Sequence, residues 1–351
     1  MLDETPIKKP IFLVGLHRTG STLWHNVIAI APNIMRLTEM RFLSQRRQRD
    51  FPYFLKTQVG NLRSDENVDK MVKLCFSRTC PSGLDGAFWR FENIGIVEKP
   101  ELAATISRRI KKSNRSLGEI FRAFVEEITE CSGFTRACVK FPVDVGHVPE
   151  LVEWYPECKI VHLTRDPRAI ALSKTNDPSG TALRVQKHPR LAWLIRKAMI
   201  LFEIVQYRWT ARLHARFRQL KNYKLVRYED LLAEPEGTLR ELCKFLEVDF
   251  VEDMLMPEKG RHEHQPSSLT GKRRQAFDPT AALRWQMVIS KVDNWIISFF
   301  SRKSMKLLGY NPGTHRIFEL AGMERKQPEL QGTFSSNIPH GANRSPKGSA
   351  G

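Results

Sequence analysis

Long apolar runs are missing from this chain, and so is the cationic-then-apolar opening of an exported precursor. The longest apolar stretch, around Val288 to Phe300, is interrupted by Lys291 and Asp293, which excludes a bilayer-crossing helix of about 20 apolar residues. The chain opens Met1-Leu2-Asp3-Glu4 and reaches an apolar run by Ile11. That leaves no room for a charged segment, an apolar segment and a cleavage site, so a soluble cytoplasmic location is expected. Cysteine is scarce, with six residues at 75, 80, 131, 138, 158 and 243. Cys75 and Cys80 have no matching second pair, so no metal-ligand spacing arises and no metal is expected. Cys138 and Cys158 lie in or beside apolar runs and read as small buried hydrophobes with reduced thiols. Linkers are missing too: no Pro/Gly/Ser-rich break precedes about residue 311, and no internal repeat stands out. With 41% hydrophobic residues, enough for a sizeable core, a single domain is expected over residues 1–310. Residues 311–351 read as an extension. Its last part, Pro328 to Gly351, is rich in Gly, Ser, Asn and Pro and is expected to be disordered.

Acidic residues are in short supply, 38 Asp and Glu against 56 Lys and Arg, for a net charge of +18. Between Gly180 and Lys224 eleven Lys and Arg face Glu203 alone. In that stretch Leu191, Leu194, Ala198, Leu201, Phe202 and Val205 recur at helical spacing, and Trp209, Leu213, Phe217 and Leu220 continue the series. The spacing predicts a long amphipathic helix, apolar face on the core and cations on the solvated face. The basic excess would also steer a polyanionic ligand to its site. No recognised DNA- or RNA-binding motif accompanies it, so nucleic acid is not expected, while peripheral contact with a membrane surface stays open.

What is present begins at Ile11-Phe12-Leu13-Val14, which runs into Gly15-Leu16-His17-Arg18-Thr19-Gly20-Ser21-Thr22 and then a helical pattern from Leu23. An apolar run of strand length, a glycine-bounded polar loop and a helix make an anion site. Backbone N–H groups and the positive end of the helix dipole converge there, with the Ser21 and Thr22 hydroxyls as added donors. The loop departs from G-x-x-x-x-G-K-[ST]: Gly15 and Gly20 have the right spacing, but Ser21 stands where the lysine belongs, and the cation is Arg18. Without that lysine, hydrolysis of a nucleoside triphosphate with magnesium is disfavoured.

Two further segments have the same form. Lys159 to Thr164 reads as a buried strand and leads into Arg165-Asp166-Pro167-Arg168, where Pro167 suits a helix start and Ser173 falls about two turns later. Lys224 to Arg227 reads as a short strand ending in Tyr228-Glu229-Asp230-Leu231. Three strands thus deliver polar residues at their carboxyl ends, where open α/β sheets bind ligands. Taken alone, Arg165 and Asp166 could be an ion pair at a helix cap, and Tyr228 a half-buried core tyrosine.

Together these residues resemble the sulfotransferases that use 3′-phosphoadenosine 5′-phosphosulfate (PAPS). Arg18 to Thr22 matches the family's 5′-phosphosulfate loop, [R/K]-[ST]-G-[ST]-T. Arg165, Pro167 and Ser173 match its 3′-phosphate motif, and Tyr228 to Leu231 match its Y-E-D-[LM] segment, whose tyrosine approaches the adenine. The order and separation agree, and the resemblance spans about Pro10 to Tyr310. It implies an α/β, P-loop-like three-layer fold with a central parallel sheet flanked by helices. PAPS would be bound by Arg18, Thr19, Gly20, Ser21, Thr22, Arg165, Ser173 and Tyr228, and a sulfuryl group would pass in line to a hydroxyl or amine acceptor. Helical insertions, about residues 41–135 and 176–220, would form the acceptor half. A basic lid is implied by Ser267 to Arg274, with Lys272 and Arg273 on the cofactor. The segment from Pro279 through Trp295 to Leu308 would close the fold.

The acceptor's base is a separate question. In the cytosolic small-molecule branch it is a histidine in a K-x-H segment, which here reads Lys140-Phe141-Pro142, so Lys140 is kept and the histidine is replaced. In the tyrosylprotein sulfotransferases and many bacterial relatives a glutamate after the first helix serves, and Pro32 to Arg41 places Glu39 there, with Arg41 nearby. His17, beside Arg18, is the second candidate base. Alternatives from other classes are a P-loop kinase or NTPase, with Asp166 the loose fit for a magnesium ligand, and a non-catalytic basic module for a membrane surface or nucleic acid.

Overall fold

The computed structural model describes residues 9–39, 42–43, 51–76, 100–142, 144–177, 181–259 and 277–313. Among them five strands form one parallel sheet: β1 (Ile11–Gly15), β2 (Ile34–Glu39), β3 (Arg136–Pro142), β4 (Lys159–Thr164) and β5 (Tyr223–Arg227). Their order is β2-β3-β1-β4-β5. β1 is central and buried on both faces, which is why its apolar residues run continuously rather than alternating with polar ones. Phe12 and Val14 enter one core with Phe121, Phe141 and Tyr155, whereas Ile11 and Leu13 enter the other with Trp24, Leu231 and Leu242.

Helices cover both faces. On the Ile11 side lie α1 (Ser21–Ile28), α10 (Tyr228–Ala233), α11 (Pro235–Leu246) and α12 (Thr280–Leu283). On the Phe12 side lie α2 (Phe51–Phe54), α3 (Asp65–Phe76), α4 (Pro100–Lys112), α5 (Leu117–Cys131) and α6 (Val148–Trp154). The remaining helices are α7 (Pro167–Thr175), α8 (Thr181–Lys187), α9 (Ala192–Phe217), α13 (Trp285–Val288) and α14 (Lys291–Leu307). The expected α/β, three-layer architecture is therefore the observed one. Cys138 within β3 and Cys158 just before β4 are buried, and burial pushes both thiols up to about 12. Most of the expected tail, from residue 314 on, lies outside the described residues.

One element lies outside the sequence expectations, and one expectation needs correction. Residues 34–39 carry no strand signal of their own, yet they form the edge strand β2. The long basic helix starts only at Ala192, after α8 and a turn at Pro189–Leu191, and its buried face is not the expected one. Ile200, Glu203, Ile204, Tyr207, Ala211 and His214 are buried, while Leu191, Leu194, Leu201, Phe202, Val205 and Leu220 are exposed, on the solvent side with the cations. Apolar residues surround α9 on nearly every side, so spacing alone could not choose a face. The choice is made by α7 and α14, which pack on Ile200 and Ile204 through Ala171 and Ile297.

Candidate active site

β1 ends in a loop held by two glycines. A side chain at Gly15 would meet the Leu163 carbonyl oxygen at 2.3 Å, because β4 runs alongside. At Gly20, with φ of 81°, it would meet the Tyr228 ring at 2.3 Å. Arg18 is itself left-handed, with φ of 69°, a conformation uncommon outside glycine. Buried Thr19 donates to the Leu16 carbonyl at 2.8 Å and closes the loop. Gly20 is the N-cap of α1 and supplies no side-chain cap, so the first-turn N–H groups of Ser21, Thr22 and Leu23 sit at the positive helix end as anion donors. Ser21 and Thr22 are half-buried there.

The three sequence-distant motifs meet at this loop. Arg18 Nε donates to Ser173 Oγ at 2.9 Å, and the Arg165 guanidinium donates to the Arg18 carbonyl at 3.2 Å. Arg165 lies over the Tyr228 ring at 4.5 Å, a cation–π contact. Tyr228 is fully buried, packed between Arg165 and Gly20. Burial pulls the Arg18 pKa below its usual value, Asp177 opposes this, and the neighbouring Arg165 adds to the lowering. Arg165 is nine-tenths buried, and its Nε has no hydrogen-bond partner among the described residues. Two partly desolvated cations and an uncapped helix end are thus gathered at one loop, an arrangement chemically suited to an anion.

Asp166 does not pair with Arg165. It caps α7 by accepting from the Arg168 backbone N–H at 2.8 Å and binds the Arg168 side chain at 2.9 and 2.6 Å. Arg168 in turn lies over Trp285 at 4.4 Å and donates to the Asn311 carbonyl. Glu229 accepts from the Asp166 backbone N–H at 3.0 Å and from the Tyr310 hydroxyl at 2.7 Å. Burial raises the Glu229 pKa, with Arg165 and the two hydrogen bonds opposing. Sequence reasoning assigned no role to Glu229, Arg168, Trp285 or Tyr310. The signal for Glu229 was its place between Tyr228 and Asp230, and for Arg168 its distance of two residues from Asp166.

At the same sheet edge, buried Lys140 of β3 is in register with Leu13 of β1 and with Glu39 of β2. The structure thus brings the backbones of Glu39 and Lys140 side by side, next to the loop strand. The side chains of Glu39 and Pro142 lie outside the described set, as do Arg41 and the whole segment 260–276, with Lys272 and Arg273. His17 is half-buried in the loop.

The family model described as "Sulfotransferase family" matches residues 10–253. The chain is 26% identical over 265 residues, 68% of its own length, to "Omega-hydroxy-beta-dihydromenaquinone-9 sulfotransferase Stf3" of Mycobacterium tuberculosis and of Mycobacterium bovis. It spans 62% of the length of these relatives. Among solved structures it is similar in fold to the sulfotransferase domain from the curacin biosynthetic pathway. There the TM-score is 0.51 at 17% identity, over 88% of this chain and 99% of that one. The sulfotransferase domain of the Synechococcus PCC 7002 olefin synthase gives 0.49 at 17% identity, over 93% and 100%.

Proposed function

The chain belongs to the sulfotransferase family, and from that premise we propose that it transfers a sulfuryl group from PAPS to a hydroxyl. The meeting of Arg18, Ser173, Arg165 and Tyr228 around Gly20 supports this reading, since they come from three different strand ends, Arg165 and Ser173 both following β4. The donor nucleotide supplies the activated sulfuryl group. Arg165, whose Nε is buried and lacks a partner among the described residues, binds the 3′-phosphate together with Ser173. The α1 N-terminus holds the 5′ end through backbone N–H groups. Arg18, tethered to Ser173, neutralises the oxygen that departs when the sulfuryl group leaves. Tyr228 acts from beneath, fixing Gly20 and Arg165.

Glu39 is the proposed base, taking the acceptor proton at its carboxylate, with Lys140 in the adjacent strand position; His17 is the alternative. The relatives' names specify a hydroxylated menaquinone, which favours a hydroxyl on an apolar acceptor over an amine. The catalytic domain is proposed to span residues 1–310, with 311–351 as an extension. A magnesium-dependent kinase or NTPase is disfavoured because Asp166 already accepts three N–H bonds from Arg168.

Calorimetry with 3′-phosphoadenosine 5′-phosphate, with and without magnesium, tests the proposal. Equal binding in both conditions is expected. Binding only with magnesium, or none in either, would overturn it.

A further inference from the structure

α9 and α14 pack side by side in parallel. Lys197 binds Asp293 near their N-termini, Ile200 and Ile204 meet Ile297 midway, and Tyr207 and Ala211 meet Met305 and Leu308 further on. The faces turned away from that seam are apolar. Val205 is 64% exposed, Trp295 60% and Phe299 59%. Leu201, Phe202 and Phe300 are exposed beside them. The aromatic rings form a continuous surface: Trp295 stacks on Phe299 at 5.2 Å with 14° between planes, and Phe299 meets Phe300 edge-on at 5.2 Å. Single exposed hydrophobes are ordinary, but a contiguous aromatic patch marks a contact site.

The charge around the patch decides what it contacts. Residues 181–217 and 285–308 carry twelve Lys and Arg against two acids, Glu203 and Asp293. Glu203 is buried on the inner face of α9, and Asp293 is bound by Lys197 and Ser290. Eleven of the twelve cations, all but Lys197, are exposed. A twofold contact between copies of this face would bring two cationic surfaces together, which like-charge repulsion opposes. An anionic bilayer complements it in both respects. Trp and Phe seat at the headgroup boundary while Arg and Lys meet lipid phosphates, without any segment crossing. No described helix is long and apolar enough to cross a membrane.

We propose that the outer face of α9 and α14 is a docking surface for an anionic phospholipid bilayer. The inference rests on this surface and not on the nature of the acceptor. Flotation of the full chain with vesicles of phosphatidylcholine alone, and of phosphatidylcholine with phosphatidylglycerol, tests it. Binding to the second only, weakening as salt is raised, is expected. The Trp295→Ser/Phe299→Ser variant should lose at least about tenfold in vesicle affinity. Its melting temperature and its calorimetric affinity for 3′-phosphoadenosine 5′-phosphate should match wild type, because both rings are exposed and neither belongs to the proposed nucleotide site. Equal flotation of variant and wild type would overturn the proposal, as would absence of wild-type binding. So would a wild-type dimer in sedimentation velocity that the variant dissociates, since the face would then belong to a second copy.

Discussion

At the carboxyl edge of the sheet, Arg165 lies over Tyr228 and Arg168 over Trp285, all four buried. On the outside of α9 and α14, Trp295 and Phe299 stack in solvent near Arg302 and Lys303. The residue types are the same and the physics differs. A buried guanidinium must be compensated, and Arg168 is, by both oxygens of Asp166. Arg165 is held from three sides by Tyr228, the Arg18 carbonyl and the field of Glu229. The cations there lose their hydration when the protein folds, so little reorganisation remains when an anion arrives. The exposed cations keep theirs until a partner removes it, so their contribution is long-ranged and sensitive to salt.

The contrast can be broken most strongly at the sheet edge. Glu39→Gln should lower turnover by roughly 10²–10⁴-fold while leaving nucleotide affinity unchanged, measured by PAPS turnover with a hydroxyl acceptor and by calorimetry. Wild-type turnover in that variant beside an inactive His17→Ala would move the base to His17. Arg18→Ala should cost about 10²–10³-fold in turnover with the fold intact, because the loop's backbone donors remain and the cation at the leaving oxygen is gone. An undiminished rate would remove Arg18 from the reaction centre.

Arg165→Ala sharpens the comparison by isolating one buried cation. It should weaken binding of the 3′-phosphorylated nucleotide by about 1.5–3 kcal/mol relative to the same nucleotide lacking that phosphate. Equal losses for both ligands in calorimetry would make Arg165 structural.

The most gradual effect, read per pH unit, is expected under α9. His162 of β4 and His214 of α9 share the Tyr223 hydroxyl, His214 at 3.1 Å. Burial, with His214 adding, pulls His162 from 6.5 down to about 3. The unfolded imidazole takes up a proton as pH falls through 6.5, and the folded one does so only near 3. Stability is therefore fully present above 6.5 and is lost progressively toward 3, by at most about 1.4 kcal/mol per pH unit from this group. Denaturant unfolding across that window should show a shallower slope for His162→Phe than for wild type. An unchanged slope would show that other groups carry the acid sensitivity.

The fold class and most of the loop's geometry were legible in the residues because both are local. A continuous apolar run followed by Gly15 and Gly20 leaves few backbone paths, and the Tyr228 ring 2.3 Å from where a Gly20 side chain would stand shows why a larger residue does not fit. The positions of Arg165, Pro167 and Ser173 could be read from helix periodicity, since Ser173 lies two turns from the strand end whatever the rest of the chain does. β2 could not be read so. Its residues pair only because β3, a hundred residues later, offers an open edge, and its bulge between Arg36 and Glu39 arises from that pairing. The buried face of α9 was equally invisible, because a helix apolar on nearly all sides takes its orientation from α7 and α14 rather than from its own pattern. Arg168, Glu229 and Tyr310 form one support only after β4, α10 and the segment beyond α14 converge. The sequence by itself determined which strand ends carry the candidate anion site and which residue types stand there. Tertiary packing decided which charges are desolvated, and which aromatic face is left in water.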